Sequence, residues 1–142
     1  MREILFRGKE KDSGKWVYGW LGHFHCHNPQ EKTIKSIYFT EITEDHNSKM
    51  NIIVDYKTVG QYTGLTDKNG TKIFEGDIIQ YYGTYPLEVF TEEGHTKIRW
   101  FDSVTKSKCS ELFFGGNDEA YGEFEVIGNI HDNPELLKGG VD

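Results

Sequence analysis

Three histidines occupy every second position of the segment His23-Phe24-His25-Cys26-His27. Side chains two residues apart on a β-strand point to the same face, so regular pairing would place the three imidazoles together. Three nitrogen ligands are enough for an open zinc or nickel site. His23, His25 and His27 are therefore a candidate metal site, and a metal-dependent hydrolase is one alternative function. The same spacing arises when polar residues occupy the solvent face of a strand, and we favour that interpretation.

A second pair of residues with possible chemistry is Glu75 and Asp77, which share a face if their strand is regular. Paired carboxylates act as general acid and base when a cleft holds them close together. Gly76 between them and the apolar Ile78-Ile79 after them indicate a turn that opens a strand instead. We expect Asp77 to accept hydrogen bonds from backbone amides in that turn.

Nucleophile and phosphate-binding patterns are missing from the sequence. Cys26 adjoins His25 and His27, but neighbours on a strand point to opposite faces, so adjacency creates no cysteine–histidine dyad. Nothing matches a GxSxG elbow, a phosphate-binding loop or a GxGxxG turn. The sequence therefore predicts no catalytic residue, no cofactor and no enzymatic activity.

A cluster of cations with one tryptophan gives a second alternative, a nucleic-acid-binding module. Its only plausible contacts are Lys97, Arg99, Trp100, Lys106 and Lys108. Phosphate affinity depends on local positive charge, whereas the 142-residue chain has a formal net charge of −7. This balance argues against nucleic acid as a partner.

The elements that must position these residues are short strands, because the apolar pattern has a period of two almost throughout. Sixteen glycines supply turns and bulges between them. The predicted strands are 16–21, 36–39, 52–54, 77–82, 87–91, 97–101, 111–114 and 123–130. Many short strands with frequent turns predict an all-β fold of the barrel or sandwich type.

Local signals divide this β fold into two parts. The polar stretch 41–51 indicates a loop, so we expect an N-terminal antiparallel β region over residues 1–55 and a second β region over 56–142. In the second region, Asn69-Gly70 predicts a tight primed or bulged hairpin turn. Asn133 and Pro134 predict the start of one short C-terminal helix. One compact domain that contains both regions is the alternative.

Three blocks of the sequence, in chain order, carry a family resemblance. They are FRGK and GKWVYG at residues 6–9 and 14–19, TVGQYTGLTDKNG and IFEGDII at 58–70 and 73–79, and VIGNIHDNPELL at 126–137. These blocks resemble the YopX family of bacteriophage and prophage proteins. The resemblance implies a mostly β protein whose later half is similar to a small SH3-like barrel. It implies no catalytic activity and no site residues.

We predict a non-catalytic phage accessory protein that acts through protein–protein binding or self-association. The sequence has no convergent catalytic set, and 14% of its residues are aromatic, which suits interface anchors. The expected partners are further copies of the chain or a phage or host protein. Membrane binding is not expected, since no apolar run approaches the roughly 18 residues that span a bilayer. Two cysteines and the absence of a signal-peptide pattern place the protein in the host cytoplasm.

Overall fold

A computed structural model describes residues 4–28, 33–42, 48–81, 86–101, 108–113 and 123–137. Within these ranges, the description covers the backbone alone for residues 23–28, 33–36, 41–42, 48–51, 100–101 and 108–113. The chain divides into two compact units, Met1–Tyr62 and Thr63–Asp142. The boundary expected from the sequence, between residues 55 and 56, falls inside the first unit.

Most of the described residues lie in antiparallel strands. The strands are β1 (Phe6–Lys9), β2 (Trp16–Asn28), β3 (Thr33–Ile42), β4 (Ser48–Val54), β5 (Gly60–Thr66), β6 (Lys72–Phe74), β7 (Asp77–Tyr81), β8 (Leu87–Glu92), β9 (His95–Phe101), β10 (Lys108–Phe113) and β11 (Phe124–Asn129). They form two sheets, with the orders β4-β3-β2-β1-β5-β6 and β10-β9-β8-β7-β11. The predicted all-β class is confirmed, whereas the SH3-like barrel stays a prediction.

One predicted loop is wrong in part. The polar stretch 41–51 was expected to be irregular, yet β3 extends to Ile42 and β4 begins at Ser48. Glu41 pairs with Lys49, and Ile42 pairs with Ser48. Backbone pairing with a neighbouring strand outweighs the low strand propensity of polar residues here, because such propensities depend strongly on context. Residues 43–47 lie outside the described part of the chain.

In the first unit, the fourth strand pairs with the chain just after the first strand. Hydrogen-bonded pairing runs from β1 through β2 and β3 to β4. Beyond the end of β1, Glu10 then forms an antiparallel bridge with Val54 of β4. The N–H of Lys11 donates to the Ile53 carbonyl at 3.0 Å, and the N–H of Asp55 donates to the Lys9 carbonyl at 2.8 Å. The four strands therefore close around one interior.

That interior is apolar and densely packed. Its buried side chains are Val17, Ile37, Phe39, Ile52 and Val54. Gly8 lies against it, and a Cβ there would meet Val54 Cγ2 at 3.1 Å. A larger residue at Gly8 would therefore require the core to shift. Close packing of this kind fixes which face of each strand is buried.

The second unit has its own core. Ile73, Ile79, Val89 and Ile98 form its buried cluster, drawn from the β5–β6 hairpin and from the five-stranded sheet. The hairpin turn from Asp67 to Gly70 is the bulged form of the two expected, since the N–H of Gly70 donates to the Asp67 carbonyl at 3.0 Å and Gly70 has φ +81. Glycine adopts this left-handed conformation without strain.

Asp67 connects this turn to the last strand. Its side chain is buried, with 5% of its surface exposed. Oδ1 accepts the N–H groups of Asn69 at 2.8 Å and Thr71 at 2.9 Å. Oδ2 accepts the N–H of Val126 in β11 at 2.9 Å. One carboxylate thus satisfies three backbone donors, two within the turn and one far away in sequence.

The predicted C-terminal helix is present as a short 3-10 helix, Pro134–Leu137. The N–H of Leu136 donates to the Asn133 carbonyl at 3.1 Å. The side-chain oxygen of Asn133 accepts the N–H of Asn129 at 3.3 Å and so ties the helix to the end of β11. In the described ranges, no helix has the length and apolar character needed to cross a membrane.

We expect Asp67→Asn to destabilise the second unit by about 1–3 kcal/mol, because one acceptor oxygen is replaced by a donor that faces a backbone N–H. Chemical denaturation measures the loss. Asp12→Asn is the matched control, since Asp12 is exposed in the turn before β2 and should change stability by less than about 0.5 kcal/mol. Equal losses in the two variants would contradict the role given to Asp67.

Candidate functional site

The candidate metal ligands His23, His25 and His27 all lie on β2. The pairing register between β2 and β3 shifts between His25 and Cys26 and again between Cys26 and Asn28. The regular alternation on which the metal prediction depends is therefore interrupted within the segment. The three side chains lie outside the described part of the chain, so the site stays a prediction. Elsewhere, the described side chains include no group of three metal-ligating residues.

Asp77 has the structural contact expected from the sequence. Its side chain is 1% exposed, and Oδ2 accepts the N–H of Phe74 at 2.7 Å. Gly76 between the two carboxylates has φ +89, and its N–H donates to the Val89 carbonyl at 2.8 Å. The Asp77 carboxylate is thus turned into the strand connection and away from solvent. A buried carboxylate that accepts a backbone donor supports a role in the fold.

The candidate nucleic-acid contacts are engaged by acidic neighbours where their side chains are described. Arg99 Nη2 lies 2.9 Å from Glu88 Oε2, and Arg99 Nε lies 3.4 Å from Glu88 Oε1. The Arg99 guanidinium also stacks 4.1 Å from the Phe90 ring centre. Lys97 Nζ lies 3.9 Å from Glu92 Oε1. These ion pairs lower the positive charge available to a phosphate.

The other three candidates give no further support. Trp100 lies on β9 and Lys108 on β10, with side chains beyond the described part, and Lys106 lies outside the described residues altogether. The backbone pairs Trp100 with Ser110 and Phe101 with Lys108. The structure therefore places Trp100 and Lys108 on adjacent strands, and their role as contacts stays a prediction.

The net negative charge of the protein comes from the second unit. Met1–Tyr62 contains nine Lys and Arg against eight Asp and Glu, a net charge of +1. Thr63–Asp142 contains seven against fifteen, a net charge of −8. The predicted nucleic-acid contacts thus lie in the strongly acidic unit. The first unit, although it belongs to an acidic protein, is almost neutral.

The first unit presents a set of uncharged side chains on one side of its sheet, which we call the outer face. Tyr18 and Trp20 lie two residues apart on β2, and they alternate with the inward Val17, Gly19 and Leu21. Cross-strand pairing adds the remaining members. The outer face consists of Tyr18, Trp20, Tyr38, Thr40 and Ile53.

The outer face is substantially exposed. Trp20 is 50% exposed, Tyr18 is 42% exposed and Ile53 is 39% exposed. Thr40 pairs directly with Trp20, and Tyr38 pairs directly with Ile53. Large apolar side chains grouped on one exposed face are a mark of protein interaction sites. The sequence pattern does not reveal this face, because neither row of Trp16–Leu21 contains a charged residue.

Two cations border the outer face around Trp16. The Arg7 guanidinium lies 4.6 Å from the Trp16 ring centre, and Lys9 Nζ lies 5.6 Å from it. Arg7 is only 6% exposed, so its charge is held within the sheet surface. Cation–π contact of this kind fixes the ring and the adjacent stems. The geometry thus consists of an uncharged aromatic centre with positive charge at one border.

Comparisons with known proteins agree with this all-β architecture. The family model described as YopX protein matches residues 5–138. The crystal structure of protein EF1440 from Enterococcus faecalis is similar, with a TM-score of 0.50 and 20% identity over 96% of this chain and 99% of that chain. At this identity the likeness shows the fold alone. No curated protein matches the chain.

We expect no binding of single-stranded DNA that depends on Lys97 and Arg99, because Glu88 and Glu92 neutralise them within a unit of charge −8. Fluorescence anisotropy of a labelled oligonucleotide at low salt measures this, where phosphate contacts are strongest. Wild type and the double variant Lys97→Ala, Arg99→Ala should give the same titration. Binding that the double variant loses would show that these residues contact nucleic acid.

Proposed function

The chain belongs to the YopX protein family, and we propose that it is a non-catalytic accessory protein of bacteriophages and prophages that binds another protein through the outer face. The exposure of Trp20, Tyr18 and Ile53 on one side of one sheet carries this proposal. Tryptophan and tyrosine supply a large share of the binding energy at protein interfaces. The phage association follows from the family resemblance of the sequence.

The composition of the outer face supports a protein partner. The centre of a protein interface is depleted in charged residues and enriched in aromatic ones, with Arg also favoured. The outer face has two tyrosines, one tryptophan, one isoleucine and one threonine, and Arg7 lies at its border. The β-strand scaffold keeps these side chains in fixed positions, so little ordering is needed on binding.

The contacts of the carboxylates and cations favour binding over chemistry. Asp67 and Asp77 are buried and accept backbone N–H groups. Arg99 is paired with Glu88. Each of these groups is thus occupied in supporting a turn or a strand, as a structural role requires. No described observation favours a hydrolase or a nucleic-acid-binding module over a protein-binding role.

Trp20→Ala should weaken partner binding by about 30-fold or more, since an interface tryptophan typically contributes about 2 kcal/mol or more. The tagged protein is produced in phage-infected cells, and co-purifying proteins, including untagged copies of the chain, are quantified by mass spectrometry. The expected result is a protein retained by wild type and lost with Trp20→Ala.

Tyr81→Ala is the matched control for this experiment. Tyr81 is also an exposed aromatic residue on a strand, with 39% exposure, but it lies on β7 in the second unit. Proteins retained by wild type and by Tyr81→Ala, but not by Trp20→Ala, identify the partner of the outer face. An identical set of retained proteins with all three forms would refute the proposal, as would turnover of a substrate abolished by a single substitution in a pocket.

A further inference from the structure

We propose that the partner of the outer face is a second copy of this chain, and that two outer faces pack together across a twofold axis. This inference rests on the proposed function, because it names the occupant of the same surface. In such an isologous contact, the same patch of both copies is buried, so the interface contains two Trp20 side chains, one from each copy. Two sheet faces pack at a separation of about 10 Å, with their side chains interdigitated.

The distribution of charge argues for this occupant. The charged residues that β1 adds to this side of the sheet, Arg7 and Lys9, lie against Trp16 at the border of the outer face, so its centre is uncharged. An uncharged apolar centre is best matched by another such centre, since a charged partner group would lose its hydration there without an opposite charge to compensate. The first unit, at +1, permits two copies to approach through this face. The second unit, at −8, would repel its counterpart in any contact of like faces.

The exposed apolar side chains that the structure describes also lie mainly in the first unit. The exposed large hydrophobic side chains among the described residues are Ile4, Tyr18, Trp20, Ile53, Tyr56 and Tyr81. Five of these six belong to the first unit, and Tyr81 alone belongs to the second. Among the described side chains, the unit with the least like-charge repulsion therefore also carries most of the exposed large hydrophobic residues.

Single-stranded nucleic acid fits the outer face less well. Stacking of bases on aromatic rings requires cations beside the rings to hold the phosphates. The β1 residue paired with Tyr18 is Arg7, which is 6% exposed and stacked against Trp16. The β3 residue paired with Trp20 is the uncharged Thr40. The two cations described on β1, Arg7 and Lys9, are thus held against the Trp16 ring.

Added salt should strengthen the contact between the two copies. Each copy carries −7, so two copies repel one another at long range. Salt shortens the screening length from about 10 Å at 0.1 M to about 3 Å at 1 M and so removes this repulsion. An apolar contact between identical acidic chains should therefore tighten as salt rises. Binding to a nucleic acid or to a basic protein would weaken instead.

Sedimentation equilibrium of the full chain tests the inference. The average mass should rise with protein concentration from the 16.4 kDa of one chain toward that of two. Trp20→Ala should raise the dimer dissociation constant by about 30-fold or more. Tyr81→Ala should leave it unchanged. For wild type, the constant should fall several-fold when sodium chloride is raised from about 0.05 M to about 0.5 M.

Circular dichroism and thermal melting establish that the variants fold. Trp20→Phe keeps an aromatic ring and should therefore retain part of the association that Trp20→Ala loses. A wild-type protein that stays monomeric up to about 1 mM, the concentration corresponding to a binding free energy of about −4 kcal/mol, overturns the second-copy inference. If the Trp20-dependent capture of a different protein persists in that case, the proposed function stands with another occupant.

Three further results would also overturn the inference. A dimer that is insensitive to Trp20→Ala would show that the contact lies elsewhere. A dimer that weakens as salt rises would show that the contact is electrostatic. Anisotropy of a labelled single-stranded oligonucleotide that rises with wild type, and not with Trp20→Ala, would assign the outer face to nucleic acid and refute both the second copy and the protein-binding role.

Discussion

Glu10 pairs with Val54 where the strands of the first unit close, and the closed strands bury the side of β2 that carries Val17 and Leu21. The inward row meets Phe39 and Val54, both of which are fully buried. The approach is so close that Gly8 has no room for a side chain without a shift of Val54. Alternation along the strand then leaves Tyr18 and Trp20 on the opposite side. The packed interior and the exposed outer face are thus two results of one closure.

Charge separates the two units as clearly as packing does. The acidic excess of the second unit is offset only locally, by pairs such as Arg99 with Glu88 and Lys68 with Glu125 at 3.6 Å. The Lys68–Glu125 pair is exposed and contributes little to stability, whereas Glu88 of the other pair is buried. A net charge far from zero keeps a protein soluble and discourages unspecific association. The nearly neutral first unit is therefore the part of the molecule where association through apolar contact costs least.

Much of the fold could be predicted from sequence because its signals are local. The alternation in Trp16–Leu21 indicated a strand, which is present, and Asn69-Gly70 indicated a primed or bulged turn, of which the bulged form is present. The hydrogen bond from Val126 to Asp67 could not be predicted, since it joins residues 59 positions apart. The outer face was hidden for a different reason. Neither row of Trp16–Leu21 contains a charged residue, so the pattern alone could not tell the buried row from the exposed one.

The central claim is that the outer face is covered in the associated protein, and hydroxyl-radical footprinting measures that directly. Oxidation of the Trp20 side chain is quantified by mass spectrometry across a range of protein concentrations, with Tyr81 as the internal reference. Trp20, which is 50% exposed in the single chain, should become protected as the concentration rises, while Tyr81 should react at a constant rate. A Trp20 oxidation rate that stays constant with protein concentration, as that of Tyr81 does, would contradict it.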